Sequence, residues 1–334
     1  MRWLAGCSAR ALREALEAVA PELTGYDIPV PESAGDGDPQ YHKSSVALGD
    51  RFVVKFAWSR PAALRLAREI GVLTTLSAGP AVPFLPEVAA SSMDPLLLVT
   101  RYVPGTSLFN VVGSIDLDGA ARQLASFLTA LHLPAARERA EAVIGPLTGA
   151  EIPPATTDVL REWFGTRVRP EQRRLVTQWC DWADAVLAPA TPGARAVLVH
   201  GDLHGDNQVW DGNELRLVVD FETVGAAEPE YDLRTFPGPG MGPGVQLLTA
   251  TMRHYKRLSG RTLSLERVMA WHVRTALGDV VWRTEAGIPL ADHRTPPDWI
   301  DDLAARFHAL GMGPPRLEDH QVVAVHDLTL VLLA

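Results

Sequence analysis

The sequence predicts an α+β chain in two lobes, a small N-terminal lobe of antiparallel β-strands with a helix and a larger, mostly helical C-terminal lobe. Three observations predict it. Between residues 22 and 101, short apolar runs alternate with turn signals, which is the pattern of strands. From about residue 104 onward, apolar residues recur at the spacing of one helix face. The 334 residues, 47% of them hydrophobic, are enough chain for two lobes with a substantial core. The expected division is 1–101 for the first lobe, 102–107 for a linker and 108–334 for the second.

In chain order, residues 8–20 read as an amphipathic helix, with Ser8 as N-cap, Leu12, Leu16 and Val19 along one side and Pro21 closing it. Strands are expected at 26–30, 45–48, 51–56, 87–90 and 96–101, with Gly49-Asp50 as a hairpin turn. Residues 61–77 read as a helix with Pro61 in its first turn and Leu66, Ile70 and Leu73 on one face. Glu69, its only acidic residue, lies beside that stripe. The strand at 96–101 runs through Thr100, Arg101, Tyr102 and Val103 into the break Pro104-Gly105. A helix over 116–133 buries Ala120, Leu124, Phe127 and Leu131 and is ended by Pro134. A linker with Gly145, Pro146, Pro153 and Pro154 follows. Residues 170–187 form a further helix whose Val176, Trp179, Cys180 and Trp182 are core, and 264–286 another, with Trp271, Ala276 and Trp282 among Arg267, Arg274, Asp279 and Glu285. Between them lies the Pro/Gly run 236–244, read either as a rigid connector or as a wall of a ligand pocket.

Charge and cysteine content narrow the function classes. A net charge of −9 and a pI of about 5.6 disfavour nucleic acid and anionic membrane as partners, while tolerating a cationic small molecule. With only Cys7 and Cys180 there is no disulfide framework and no cysteine metal knuckle. Leu4-Ala5-Gly6-Cys7 imitates a lipoprotein cleavage box but lacks the apolar segment that a signal peptide needs. No apolar run reaches the roughly 18 residues of a membrane span. A cytoplasmic protein, monomeric or homodimeric, is expected.

The polar residues concentrate at 200–207, His200-Gly201-Asp202-Leu203-His204-Gly205-Asp206-Asn207, a group that is expensive to bury unpaired. A short hairpin follows, with strands at 208–210 and 215–219 around the turn Asp211-Gly212-Asn213-Glu214. It returns Asp220 beside Asn207 although thirteen residues separate them. A carboxylate and a carboxamide oxygen are hard ligands suited to Mg2+, which prefers few protein ligands. Asp202 on the same loop is then the natural general base. An alternative gathers His200, His204, Asp202 and Asp206 into a transition-metal hydrolase site, but leaves Asn207, the hairpin and Asp220 unexplained. His200 is expected to brace the loop, and Asp206 to be a solvated turn residue.

H-G-D-x-x-x-x-N followed by a strand-borne Asp resembles the catalytic and metal loops of the aminoglycoside phosphotransferase family, a branch of the protein-kinase-like fold. Here the last motif reads D-F-E at Asp220-Phe221-Glu222 rather than D-F-G. The resemblance implies that Asp202 accepts the hydroxyl proton and that Asn207 and Asp220 hold Mg2+. It also implies that Lys55, one of only three lysines, pairs with Glu69 and contacts the α- and β-phosphates of ATP or GTP. The base would lie along the backbone of Thr100, Arg101, Tyr102 and Val103. Gly35 and Gly37 fall early for a phosphate-covering loop, and Ser44 and Ser45 are either its substitutes or strand-edge residues. Asp232, in a Pro229-x-x-Asp232 turn, is expected to support the loop. The acceptor candidates are Glu222, Glu228, Asp279, Trp282 and Glu285. The implied function is Mg2+-dependent transfer of a γ-phosphate to a hydroxyl of a small molecule, foremost an antibiotic: an aminoglycoside, macrolide, peptide or nucleoside such as a capuramycin-like compound. The alternatives are a metabolic kinase of a sugar, choline-like amine or amino alcohol, and a silent nucleotide-binding scaffold.

Overall fold

Alternating burial along residues 43–57 sets up the first sheet. In the computed structural model, which describes residues 1–29, 39, 42–79, 81–147, 155–188, 195–238, 244–290 and 294–312, strand β1 (Lys43–Leu48) turns at Gly49 into β2 (Phe52–Ala57). The two pair antiparallel with β3 (Val88–Met93) and β4 (Leu96–Arg101) in the order β1-β2-β4-β3. Helix α1 (Ala9–Val19), capped by Ser8, lays Leu12 and Leu16 against Val46, Leu48, Val54, Phe56, Leu97 and Val99 in one buried cluster. Helix α2 (Arg60–Ser77) starts at the cap Ser59 with a proline in its first turn.

One expected strand is absent. Residues 26–29 are irregular, because Asp27 Oδ1 accepts the Ile28 N–H at 3.0 Å and so supplies locally a partner that a sheet would otherwise provide. The tether there is side-chain packing, with Tyr26 edge-on to Phe52 at 6.2 Å and Ile28 buried. Val30 lies outside the described residues, as do Gly35 and Gly37.

Two short elements follow β4, strand β5 (Thr106–Ser107) and helix α3 (Leu108–Val111), and then α4 (Leu117–Leu131). Pro134 opens α5 (Pro134–Ile144) instead of beginning a linker, since proline at the first helical position costs no hydrogen bond. Helices α6 (Thr157–Phe164) and α7 (Pro170–Leu187) come next. Strand β6 (Val197–Val199) leads to the hairpin β7 (Gln208–Asp211) and β8 (Glu214–Val218), then β9 (Gly225–Ala227). Sheets β5-β7-β8 and β6-β9 complete the strands described. The chain ends in α8 (Gly244–Ser259), α9 (Leu265–Glu285) and α10 (Pro296–Ala309). Helices α3, α5, α6, α8 and α10 are additions to the sequence reading. Their start signals are legible in retrospect: Thr156 caps α6, and Thr295 with Asp298 forms a capping box on α10.

The chain divides into two compact units that interleave along the sequence. The first takes Met1–Val111, Phe127–Glu151 and Val197–Ala226, and the second Val112–Ser126, Ile152–Ala196 and Ala227–Ala334. Within the first, α2 packs on α5, where Gly71 admits Ile144 closer than any side chain would allow. Within the second, α6, α7, α9 and α10 enclose a core around Trp179, Trp182, Leu277 and Phe307, with the Trp179 and Phe307 rings stacked at 5.5 Å. Among the described residues no helix is long and apolar enough to cross a membrane.

Candidate active site

The loop after β6 is built around His200, which is fully buried between the edges of Phe127 and Phe221. Its Nδ1 accepts the Asp202 N–H at 3.2 Å, so Nε2 carries the hydrogen and donates it to Val219 O at 2.9 Å. Both ring nitrogens are thereby spent on holding the loop to the hairpin. That removes His200 as a metal ligand, and among the described residues no group of three or more His, Cys, Asp or Glu is arranged to hold an ion. Gly201, at φ 86°, lies so close to the turn at 221–223 that a Cβ would come within 2.3 Å of Thr223 O.

Beyond Asp202 the chain makes one turn of 3-10 helix, Gly205–Asn207. His204 Nδ1 accepts the Asp206 N–H at 3.2 Å, its Nε2 lies 3.5 Å from Asp202 Oδ2, and its ring stacks on Phe109. Burial opposes protonation of His204, but contact with Asp202 and the charges of Asp206 and Asp220 outweigh it and raise the pKa. Asp206 is tied to Ser107 Oγ at 2.8 Å rather than merely solvated. Asn207 is oriented by three bonds: its N–H donates to His204 O, its Nδ2 donates to Asp202 O at 2.7 Å, and its O accepts from Val219 N at 2.9 Å. The last of these sets Asn207 against the residue preceding Asp220.

Lys55 reaches into a cleft of about 160 Å³ lined by Lys43, Ser44, Ser45, Phe56, Leu66, Glu69, Asp220 and Glu222. Its ammonium donates to Glu69 Oε1 at 2.7 Å and also to Asp220 Oδ1. Burial alone would lower the pKa of Lys55, but the two carboxylates more than reverse this and it stays protonated. Burial would likewise raise Asp220, yet the charges of Lys55 and Lys43 bring its pKa down to about 2. Glu69, 2% exposed, is pushed up by burial against the pull of Lys55. Asp220 itself stands at φ 65°, ψ 57°, a left-handed conformation that aspartate tolerates better than most residues.

The remaining candidates fall in different places. Ser44 and Ser45 line the same cleft as Lys55. The amides of Arg101 and Tyr102 are already bonded to Glu87 O and Arg51 O, both at 2.9 Å, so a base contact from either would run through its carbonyl. Thr100 is buried at the end of β4, and Val103 follows it into the break. Glu222 is buried and engaged by Lys43 at 2.5 Å and Arg65 at 4.0 Å. Glu228 belongs to the second unit, where it is held by Arg267 and by the Trp271 indole N–H. Asp279 pairs with Arg283 one turn along α9, while Trp282 and Glu285 are exposed on that helix. Asp232 is fully buried. Of the Pro/Gly run, 239–243 lie outside the described residues. The sequence reading gives Lys43 no role. Its signals were the rarity of lysine in this chain and its place two residues from Ser45, on the Lys55 face of the sheet.

The sequence profile of the phosphotransferase enzyme family matches residues 30–262. Viomycin phosphotransferase of Streptomyces vinaceus is 31% identical over 226 residues, covering 63% of this chain and 73% of that protein. The structure of the GDP complex of wild-type aminoglycoside 2'-phosphotransferase-IIIa superposes with a TM-score of 0.60 at 19% identity, over 90% of this chain and 98% of that one. A choline/ethanolamine kinase family protein from Mesorhizobium loti gives 0.59 at 20% identity, over 89% and 94%.

Proposed function

The chain belongs to the phosphotransferase enzyme family, with the kinase-like fold of its small-molecule kinases, and on that premise we propose that it transfers the γ-phosphate of ATP or GTP to a hydroxyl of an antibiotic. The observation that carries the reading is the meeting of Lys55, Glu69 and Asp220 in one cleft, with Asn207 tied to the adjoining Val219. The acceptor class is suggested by the relative named for viomycin and by the aminoglycoside phosphotransferases among the structural neighbours. An amine-bearing acceptor also suits a chain of net charge −9.

In this reading Asp202 orients the acceptor hydroxyl and takes its proton, and the His204 Nε2–H facing Oδ2 helps to direct the carboxylate. Lys55, held by Glu69, binds phosphate oxygens. Asn207 and Asp220 fit Mg2+. The Asn207 Nδ2 bond to a carbonyl assigns that side of the amide as nitrogen and keeps its oxygen as a hard ligand, and Asp220 is held ionised. Mg2+ bound there would neutralise charge on the β- and γ-phosphates. What the chain itself supplies is placement and fixed charge, the larger part of catalysis in this chemistry.

Mass spectrometry of an antibiotic and metabolite panel incubated with ATP or GTP and Mg2+ tests the proposal. One antibiotic should gain a phosphate with the wild type, and Asp202→Asn should slow the transfer by about 10²- to 10⁴-fold. Phosphate gained only by a choline-like amine or a sugar would overturn the antibiotic assignment.

A further inference from the structure

Lys55 is not the only ammonium in the cleft. The register pairs Ser45 with Lys55, and residues 43 and 45 share a face by the two-residue period of a strand, so Lys43 and Lys55 project from the same side of the sheet. Each meets a buried carboxylate from a different element: Lys55 meets Glu69 of α2 at 2.7 Å, and Lys43 meets Glu222 of the turn Phe221–Thr223 at 2.5 Å. Arg65 of α2 stands 4.0 Å from the other oxygen of Glu222. The second pair thus repeats the design of the first. Both ammonium groups lie beside Ser44, Ser45 and Asp220 in the same cleft. The chain has 28 arginines to three lysines, and two of those three lysines line this one cleft. A tie between strand and turn would be served as well by the planar fork of arginine. Lysine offers instead a compact charge with three rotatable donors, which can hold a carboxylate and a phosphate oxygen together.

We propose that Lys43, held by Glu222 as Lys55 is held by Glu69, is a second binding cation for the polyphosphate of a nucleoside di- or triphosphate. The inference rests on the nucleotide-dependent phosphotransfer reading above. It gives Glu222 the task of positioning Lys43 instead of receiving the acceptor.

Two measurements test it on the full chain. In equilibrium binding with Mg2+, Lys43→Met should weaken ATP and ADP by about 10- to 100-fold, the worth of a charge-assisted hydrogen bond, and leave AMP binding unchanged. Lys43→Arg should retain most of the affinity. In wild type, acetylation by an amine-reactive ester, followed by peptide mass spectrometry, reads the three lysines at once. ATP should protect Lys43 and Lys55, AMP should not protect Lys43, and Lys256 serves as the unprotected control. Unchanged ATP affinity in Lys43→Met, or a Lys43 acetylated at the same rate with and without ATP while Lys55 is protected, would overturn the proposal and leave a structural tie. Failure of the wild type to bind any triphosphate, with Lys55 also unprotected, would overturn the phosphotransfer reading and this one together.

Discussion

Two residues of unusual backbone geometry shape the proposed site. Asp220 is left-handed without being glycine, and Gly201 sits at positive φ with its Cα against the Thr223 carbonyl. At Gly201 the chain must pass the turn 221–223 closely, because Thr223 Oγ1 donates to His200 O at 3.0 Å and His200 in turn holds Val219. Any side chain there meets both a disfavoured φ and a backbone oxygen that cannot rotate away. Gly201→Ala should therefore cost about 2 kcal/mol or more in urea unfolding, and lower turnover in the phosphate-transfer assay more than it lowers stability. A variant of wild-type activity would show that the loop does not need this contact. The clustering of His200, Asp202, Asn207 and Asp220 was legible from residue type and spacing, and the Lys55–Glu69 contact was expected from the family resemblance. The partner of Glu222 was not, since the distance from residue 43 to residue 222 is invisible to any local pattern.

At the scale of elements, the second unit is latched by a buried histidine. His272 on α9 donates from Nδ1 to Arg234 O at 2.6 Å, and its Nε2 accepts from Arg306 of α10 at 2.8 Å. Burial, reinforced by the Arg306 charge and only partly offset by the bond to Arg234 O, lowers its pKa from 6.5 to about 3. The unfolded chain binds a proton that the folded one refuses. The stability tied to neutral His272 is complete above pH 6.5 and is lost progressively as pH falls from there towards 3. By pH 5 the loss should approach about 2 kcal/mol. Thermal unfolding at pH 7 and pH 5 checks this. His272→Gln, which can keep a donor and an acceptor, should remove most of the difference, and an equal pH dependence in that variant would refute the latch. The helix was legible in sequence over 264–286 because its period is sustained, whereas α10 was not, although its Thr295–Asp298 capping box was there to be read.

For the whole molecule, the consequence of interleaving is that the proposed site residues Lys55, Glu69, Asp202, Asn207 and Asp220 all belong to the first unit, though up to 165 residues apart in sequence. A ligand that binds only the native state stabilises by mass action, about 2.7 kcal/mol at a hundred times its dissociation constant. Saturating ATP and Mg2+ should then add hydrogen-exchange protection chiefly in β1, β2, α2 and residues 197–226, with little in α6, α7 and α10. Protection centred on those last three helices would place the nucleotide elsewhere.

Helices α1, α2, α4, α7 and α9, strands β1 to β4, the Gly49 turn and the β7–β8 hairpin were legible in the sequence alone, because each rests on a short-range period, and the Lys55–Glu69 pairing was implied by the family resemblance. Tertiary structure alone decided that the segment around 200–222 joins the N-terminal strands in one compact unit, that Glu222 meets Lys43, and that Glu228 meets Arg267 and Trp271. Those outcomes depend on which buried charges find a partner across long stretches of chain. The cost of leaving a charge unpaired is settled only when the whole chain has closed around it.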